Sequence, residues 1–475
     1  MNGPRIVVVG AGIAGLVAAR RLLQRRPDVR LAVLEAQSRP GGLVHTERTS
    51  DGFLVEHGPD AFVTDRPAAL DLVRDLGIAE RLIGTLPARH GAFVLHRGHL
   101  VPIPQGFALV APVRLGPWLR TPLLSWSGKL RAGLDLILPR GPQCDDESLA
   151  SFVGRRLGEE VLERLAGPLL GGIYGVDPER LSVAATVPRL REAERRHRSV
   201  ILGLRRTARG DPSQPQTSGV RYGLFASFDR GLGVLVDALC GAIGGALRLG
   251  CPVRGLRRGD DGAAWLVSTD GEALEADAVL LAVPAPAASG LLAPHAPQLA
   301  DALDALEHGG SVLVQLGYRR EQVAHPLDGY GYLVPRAERR AVSAVTWSSS
   351  KWAGRAPPGH VLLRVFPAPH AASEPRELDD DALLALARAE LADTLGVRSE
   401  PVLARVVRHN ATLPRPIVGH LGRLERIDAL VAELPTIELA GAWRVGVGIP
   451  DAVRSGFLAA DRLLDKLRAS VPDPH

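Results

Sequence analysis

Arg5-Ile-Val-Val-Val-Gly10-Ala-Gly12-Ile-Ala-Gly15 is followed by a helix-like stretch to Gln24, by Arg30-Leu-Ala-Val-Leu-Glu35-Ala36, and by Arg39-Pro-Gly41-Gly42. A β-branched apolar run bounded by glycines reads as a strand buried on both faces, and Leu16, Ala19, Leu22 and Leu23 keep helical spacing after it. The order is strand, tight turn, helix, strand. In the loop Gly10-Ala11-Gly12-Ile13-Ala14-Gly15, the first glycine permits the turn, the second lets a pyrophosphate approach bare backbone, and the third lets helix and sheet pack closely. Unpaired N–H groups at the helix start suit the anion, and Glu35, at the tip of the second strand, is placed to accept from a ribose hydroxyl. The spacing predicts a bound adenine dinucleotide.

At 475 residues the chain exceeds what one core supports, and its 46% hydrophobic content suffices for two or three globular domains. Of 57 basic residues only Lys129, Lys351 and Lys466 are lysines, so the cationic side chains are overwhelmingly guanidiniums. A net charge of +5, with bases scattered among acids, argues against nucleic-acid binding and leaves a modest attraction to anionic lipid or a polycarboxylate. Cys144, Cys240 and Cys251 show no C-x-x-C or His-rich spacing, so neither a metal site nor a disulfide framework is expected. A core strand begins within five residues of Met1 without a basic-then-apolar leader, and no window approaches the roughly 18 apolar residues of a spanning helix. A cytoplasmic location is expected.

Further along, Asp51-Gly52-Phe-Leu-Val-Glu56-His57-Gly58-Pro59-Asp60-Ala61-Phe62 reads as a strand entering a turn, followed by an amphipathic helix with Leu70, Val73 and Leu76 that Gly77 stops. Residues 93–139 are short apolar pieces punctuated by proline, among them Leu115-Gly-Pro-Trp118-Leu and Leu134-Asp-Leu-Ile-Leu-Pro139, with Arg114, Arg120, Lys129 and Arg131 between them. Either this segment lies on a membrane surface, its tryptophans and bases at headgroup level, or it is a helical subdomain covering a ligand cavity. Helical pattern continues from Ser148 to Leu204, Arg209 to Gly219 reads as an exposed loop, and strands are expected at 252–256, 264–269 and 276–284. A mixed region follows at 308–366, then a helix over 377–396 ending at Gly396. Last, Gly441-Ala442-Trp443-Arg444-Val-Gly446-Val447-Gly448-Ile449-Pro450-Asp451 runs into a helix through Leu467, which puts backbone N–H groups at a positive dipole end. In a flavoprotein that spot suits the isoalloxazine O2, which gains negative charge on reduction.

The element Arg39-Pro-Gly41-Gly42 resembles that of flavoproteins of the glutathione-reductase type, which favours FAD over NAD. Over nearly the whole chain the sequence resembles the oxygen-dependent porphyrinogen oxidases of haem synthesis. The stretches that carry the likeness are Gly10 to Gly42, Gly58-Pro-Asp-Ala-Phe62, Leu100-Val-Pro-Ile-Pro104, Gly171-Gly-Ile-Tyr-Gly-Val-Asp-Pro-Glu-Arg-Leu-Ser182, Thr346-Trp-Ser-Ser-Ser-Lys-Trp352 and Gly446-Val-Gly-Ile-Pro-Asp-Ala-Val-Arg-Ser-Gly456. The resemblance implies an α/β fold in which a Rossmann-type FAD-binding domain of the glutathione-reductase/amine-oxidase kind accompanies a mixed α+β substrate domain and a helical, membrane-associating domain. The expected divisions are 1–88, 220–296 and 400–475 for a discontinuous FAD-binding unit, 89–204 for the helical unit and 297–399 for the substrate-binding unit. Carried over by position, noncovalent FAD would touch Gly10 to Gly15, Glu35, Ala36, Arg39, Gly42, Leu43, Gly58, Pro59, Asp60, Ala61, Val253, His409, Gly441, Val447, Gly448 and Ile449. A porphyrinogen would lie against the flavin and lose electrons in three two-electron steps to O2, giving hydrogen peroxide, with no dedicated acid or base. Trp347, Leu333 and Ile173 are the candidate apolar contacts, and Arg89 and Arg97 the candidates for gripping carboxylates. The likeness further implies ferrochelatase, the next enzyme of haem synthesis, as a partner, peripheral membrane contact, and a monomer or homodimer.

Several positions depart from the family. Ala92 stands where protoporphyrinogen oxidases often carry an arginine, which looks closer to the coproporphyrinogen-type enzymes. The usual Trp…Pro-Gln-Tyr segment is here His409…Pro414-Arg415-Pro416, and the usual Gly-Asn is Gly441-Ala442. Two other readings are kept beside the oxidase: a flavin amine oxidase or carotenoid desaturase, for which Lys351 is the conceivable lysine near the flavin, and a non-catalytic flavin or porphyrin binder.

Overall fold

The computed structural model describes residues 3–469 apart from 89, 105, 109–110, 113, 142–143, 209–223, 260–263 and 369–373. Arg5–Val9 is the central strand of a five-stranded parallel sheet, in the order Leu247–Arg248, Arg30–Leu34, Arg5–Val9, Ala278–Leu281, Ile437–Leu439. Its side chains explain the uninterrupted apolar run. Ile6 and Val8 enter the core shared with helices Ile13–Arg25 and Ile449–Ala469, whereas Val7 and Val9 enter the core on the opposite face. The two helices cross closely because Gly456 leaves no side chain against the Ala14 carbonyl; a Cβ there would stand 2.4 Å from that oxygen.

The opposite face is covered by an antiparallel meander, Val253–Arg258, Trp265–Thr269 and Ala273–Ala276. The strand expected over 276–284 is in fact divided between this meander and the parallel strand Ala278–Leu281. Asp277 makes the division. Its carboxylate accepts from the Arg5 backbone N–H at 2.7 Å and from the Arg5 guanidinium at 2.7 Å, so the chain changes sheets on a charged residue that the apolar pattern around it conceals. The exposed loop expected over 209–219 lies outside the described residues.

A second, seven-stranded sheet runs in the order Leu403–Pro414, His308–Arg319, His360–Pro367, Val342–Trp347, Gly331–Leu333, Phe93–His96, His99–Pro102. Helix Asp380–Leu395 covers one face, burying Leu383, Ala387, Leu391 and Leu395 against Val314, Leu316, Tyr332, Val345, Trp347, Leu363 and Val365. With period two, Gln315, Leu333, Thr346, Arg364, Arg405 and His409 fall on the other face, turned toward the nucleotide unit at Gln315, Arg364, Arg405 and His409. Strands 93–96 and 99–102, expected within the helical unit, and 403–414, expected within the FAD-binding unit, hydrogen-bond into this sheet. Helix Pro297–Asp304, expected to open the substrate unit, instead buries Leu299, Ala302 and Leu303 in the core of the nucleotide unit. Periodicity reports that a segment is a strand or helix, and it does not say which neighbours complete it.

Between the strands of the second sheet, the chain builds a helical unit from Leu115–Arg120, Trp126–Gly133, Leu149–Leu157, Pro188–His197 and Val200–Ala208, around Trp118, Leu123, Phe152, Leu165 and Leu190. Leu162–Gly171 is wound as a π-helix with Pro168 inside it, since the wider turn tolerates a residue that has no N–H to donate. Trp126, Leu130, Leu134 and Ile137 form an exposed stripe at helical spacing, 44–73% accessible, so the 93–139 segment is both a core-forming unit and the bearer of an apolar surface. Among the described residues no helix is long and apolar enough to cross a membrane.

Inside this unit Arg156 and Asp135 are fully enclosed. Arg156 Nε donates to Asp135 at 2.7 Å, and its other nitrogens reach the carbonyls of Pro139, Asp135 and Arg198; Asp135 also accepts from Ser199 Oγ and the Ile201 N–H. Removing one partner strands a buried charge, so Arg156→Met is expected to cost about 3–5 kcal/mol, read as a lowered thermal midpoint. The double variant Arg156→Met/Asp135→Leu should recover most of that loss, and a double variant no more stable than the single would refute the assignment.

Candidate cofactor and active site

Three glycines of the first turn hold the places their spacing predicts. Gly10 adopts φ +100°, a Cβ on Gly15 would stand 1.9 Å from the Gly10 carbonyl oxygen, and Gly12 has open space where a Cβ would be. No side chain caps helix Ile13–Arg25 and no acid sits in its first turn, so the backbone beside Gly12, Ile13 and Ala14 offers N–H groups to an anion. The Gly41 N–H donates to the Ala11 carbonyl at 2.8 Å, laying Gly41-Gly42 beside the turn. Glu35 is buried where strand Arg30–Leu34 ends, its carboxylate accepting from the Ala11 N–H at 2.8 Å and the Gln37 N–H at 2.9 Å. Its carbonyl accepts from the Cys251 N–H, which brings Val253 to the same crevice. Ala36 is exposed just beyond, and the half-buried Arg39 guanidinium has its pKa lowered by burial, against the pull of Glu35. An open, uncapped turn with a carboxylate at the next strand end fits the diphosphate and ribose of an adenine dinucleotide.

Residues 57–61 form the seam between this unit and the seven-stranded sheet. Gly58 lies against Leu43, where any Cβ would be 1.9 Å from the Leu43 carbonyl oxygen. Asp60 accepts from Lys351 Nζ at 3.2 Å and Trp352 Nε1 at 3.0 Å, with Arg364 at 3.6 Å; burial opposes its ionisation, yet Lys351 and Arg364 hold its pKa well below the usual carboxylate range. Arg364 donates to the Gly58 carbonyl at 2.6 Å and Gln315 to the Glu56 carbonyl at 2.9 Å. His409 Nε2 meets the His57 carbonyl at 2.8 Å, which requires that nitrogen to carry the proton; the histidine fixes backbone next to Gly58. Pro59 and Ala61 are held between these anchors. Asp60 and His409, expected from sequence as FAD contacts, are bonded here to protein groups of the seam, and sequence reasoning does not single out Gln315, Trp352 and Arg364, because partners hundreds of residues apart leave no local pattern.

The last glycine cluster lies at the same end of the parallel sheet, after strand Ile437–Leu439. Gly441 donates to Ser455 Oγ at 3.0 Å, and the buried indole of Trp443 donates to the Val283 carbonyl at 3.2 Å. Val447 and Gly448 lead into Ile449, the first residue of the long helix; the Gly448 N–H meets the Asp451 carboxylate at 3.2 Å, and Arg66 pairs with Asp451. Two helix N-termini therefore flank a crevice at the carboxyl ends of parallel strands, the position at which open α/β sheets bind ligands.

The substrate candidates divide. Ile173 is 61% exposed, and Tyr174 beside it joins Pro414, Pro416, Ala442, Gly446 and Val447 around a cavity of about 50 Å³, so the Gly171-to-Gly175 loop does meet the second glycine cluster. Leu333 lies on the sheet face opposite helix Asp380–Leu395, in register with Val94, which packs into the core of the helical unit. Trp347 does not: it is fully buried on the opposite face against Phe93, His325 and Tyr332, and is core because its odd-numbered place in the strand points it at helix Asp380–Leu395. Arg97 is exposed at a hairpin tip with φ +52°, its backbone N–H bound to Glu338, and is held there by the turn rather than aimed at a ligand. Arg89 lies outside the described residues.

Residues 13–464 match the family model of flavin-containing amine oxidoreductases, and the chain belongs to that family of flavin-dependent oxidoreductases. Within it, the chain stands with the porphyrinogen oxidases. It is 37% identical to a coproporphyrinogen III oxidase of Propionibacterium freudenreichii subsp. freudenreichii, over 98% of this chain and 92% of the relative, and 33% identical to that of Bacillus subtilis (strain 168), over 97% and 98%. Human protoporphyrinogen oxidase is 32% identical over 97% and 98%. A crystal structure from Exiguobacterium sp. 255-15, provisionally named a protoporphyrinogen oxidase, superposes with a TM-score of 0.85 at 31% identity, covering 98% of this chain and all of that one. A putrescine oxidase at 18% identity, TM-score 0.66, shares the fold. The family brings a flavin, and the uncapped turn and the open backbone at Gly12 fit it.

Glu35 is expected to tie the cofactor's ribose. Glu35→Ala should purify with less than about half the flavin of the parent and release it at lower denaturant than the parent does, while Glu35→Gln, which still accepts hydrogen bonds, should retain more. Unchanged flavin content and affinity in Glu35→Ala would remove the assignment.

Proposed function

We propose that this chain is an FAD-dependent, oxygen-using porphyrinogen oxidase with coproporphyrinogen III as its substrate. The observation that carries the reading is the 33–37% identity to coproporphyrinogen III oxidases along almost the entire chain. Ala92, where protoporphyrinogen oxidases often place an arginine, supports the four-propionate substrate. FAD is preferred to other flavins because the Gly10–Gly15 turn, Glu35 and Val253 provide for an adenylate end, and a noncovalent cofactor is inferred because Cys144, Cys240 and Cys251 are all remote in sequence from 441–449.

In the proposed site the Gly446–Ile449 loop would hold the isoalloxazine, and the Ile173–Tyr174 loop and Leu333 would supply walls for the substrate. Bound FAD supplies the acceptor for each electron pair. The chain's own contribution is placement: Ile449 opens the long helix with its backbone N–H toward a developing negative charge, Ile173 and Leu333 offer apolar surface to a flat ring, and the Asp60 seam holds the two walls in register. Six hydrogens leave the porphyrinogen in three steps, and three O2 leave as three H2O2.

Lys351 weighs against the amine-oxidase alternative, since its ammonium is occupied by Asp60 and lies 5.2 Å from the rings of Phe225 and Trp352. The exposed stripe Trp126, Leu130, Leu134 and Ile137, with Arg120 and Arg140 exposed nearby, supports peripheral contact with an anionic membrane face.

Oxygen uptake and porphyrin fluorescence of the flavin-loaded protein, given coproporphyrinogen III and protoporphyrinogen IX in parallel under dim light, test the reading. Faster turnover of coproporphyrinogen III is expected. A preference for protoporphyrinogen IX would move the chain to the other branch, and oxidation of neither by protein that holds FAD would return it to the amine-oxidase or non-catalytic readings.

A further inference from the structure

Two places at which this chain departs from the porphyrinogen oxidases are brought by the fold to one cavity. Pro414-Arg415-Pro416 stands for the usual Pro-Gln-Tyr, and Gly441-Ala442 for the usual Gly-Asn. Pro416 and Ala442 both line the cavity of about 50 Å³ beside Tyr174. A phenol and a carboxamide have thus given way to a pyrrolidine and a methyl in the same wall, and both changes remove bulk and polar atoms from it. Ala185 of the helical unit, Leu421 and Leu424 of helix His420–Ala432, and Gly446 and Val447 complete the enclosure. Gly446 and Val447 belong to the loop proposed to hold the isoalloxazine, so the cavity and the ring would share that loop. Leu421 is exposed, so the lining extends from the protein surface to the same loop.

The polar groups at this cavity are already engaged. Tyr174 Oη donates to the Thr186 carbonyl at 3.3 Å, Trp443 Nε1 donates to the Val283 carbonyl at 3.2 Å, and the His420 ring bonds to the Trp443 backbone. The Arg444 guanidinium pairs with Asp428 and lies 3.8 Å from Glu438. Burial pushes the pKa of His420 down to about 4, so its imidazole is uncharged at neutral pH. An ordered water needs two to four polar partners, and a space whose polar atoms are spent favours an apolar occupant. Size narrows the choice further. One water-sized probe takes roughly 10–15 Å³, so this cavity holds a molecule of a few atoms and excludes a tetrapyrrole. The apolar reactant of that size in the proposed chemistry is dioxygen.

We propose that this cavity is a dioxygen site, opened in this chain by Pro416 and Ala442, from which O2 reaches the flavin at the Gly446–Ile449 loop. The proposal rests on the oxidase reading, in which O2 is the final acceptor. At each turnover the O2 held there takes two electrons and two protons from the reduced flavin and leaves as H2O2. A waiting place beside the ring makes the encounter of a dilute gas with the flavin effectively intramolecular.

Xenon-pressurised crystals of the flavin-loaded full-length protein, and stopped-flow reoxidation of its photoreduced flavin, test the site and its role. Xenon is expected in the cavity of the parent and absent from Pro416→Tyr/Ala442→Asn, which restores the two family residues. Ala185→Val fills the same space from the helical unit and gives an independent occluded form should the double variant fold poorly. The rate constant for reoxidation by O2 should fall about tenfold in each occluded form, while reoxidation by ferrocenium, which takes one electron at a time and does not fit the cavity, changes less than twofold. No xenon in the parent cavity, or ordered waters there that xenon does not displace, would overturn the site. An O2 rate unchanged in forms that exclude xenon would overturn its role. Oxidation of neither porphyrinogen by a parent that passes both oxygen tests would defeat the substrate reading and not the site.

Discussion

Asp60 is the point at which the nucleotide unit is fastened to the second sheet. Its carboxylate gathers Lys351, Trp352 Nε1 and Arg364 from one side, while the carbonyls of Glu56, His57 and Gly58 on the same segment accept from Gln315, His409 and Arg364. An apolar seam would tolerate sliding by a fraction of a side chain; a seam of directional hydrogen bonds to backbone carbonyls does not. A ring bound on one unit and a substrate bound on the other can react only if the gap between them is fixed, and this cluster fixes it. The carboxylate it encloses is more than compensated, since it faces two cations, Lys351 and Arg364. An isolated buried Asp60 would be driven toward its neutral form by desolvation, and here the cations reverse that tendency.

Much of the nucleotide unit was legible because its constraints are local. Gly10 turns the chain with φ +100°, Gly12 leaves its backbone open, Gly15 packs against the Gly10 carbonyl, and Gly396 closes helix Asp380–Leu395 in the left-handed conformation at the expected place. Where constraints are nonlocal, the sequence was mute or misleading. Trp347 looked like a substrate wall because it is a large apolar residue in a family motif, and only the register of Val342–Trp347 against its neighbours shows which side of the sheet it occupies. The assignment of strands 93–102 and 403–414 fails for a related reason: edge and interior strands of one sheet can come from any part of the chain, and an alternating pattern names no partner. Arg156 and Asp135 were likewise invisible, each an ordinary charged residue until helices Leu149–Leu157 and Val200–Ala208 enclose them.

The helical unit performs two separable tasks. Its buried ion pair, with every remaining oxygen and nitrogen tied to a carbonyl, hydroxyl or N–H, makes the packing of its short helices specific at little cost in unsatisfied polarity. From that scaffold the π-helical Leu162–Gly171 delivers Ile173 and Tyr174 to the second glycine cluster, and the segment that follows is clamped in place by Asp146, which accepts from Ser182 Oγ at 2.9 Å and the Gly419 N–H at 2.9 Å. Leu181 and Ile417 bridge at the same point. The loop facing the proposed ring is thus short, exposed at Ile173, and anchored on both sides, which is how a surface residue keeps a defined position.

A redox enzyme whose cofactor does the chemistry leaves its polypeptide with a problem of recognition. The centre of a porphyrinogen is common to all members of its substrate class, so the apolar contacts proposed at Ile173 and Leu333 would hold the ring without distinguishing one porphyrinogen from another. Distinction has to come from the rim, where substituents differ in charge, and a rim group is best read by a donor that is already fixed and already desolvated on one side. The backbone at Arg415 is fixed in place: strand Leu403–Pro414 ends immediately before it, the Arg415 N–H donates to the Glu307 carbonyl at 2.8 Å, and the Pro416 carbonyl accepts from Ser182. Proline on either side limits the segment's freedom further. Held in this way, Pro414 and Pro416 give the small cavity beside Gly446 and Val447 a wall of fixed position.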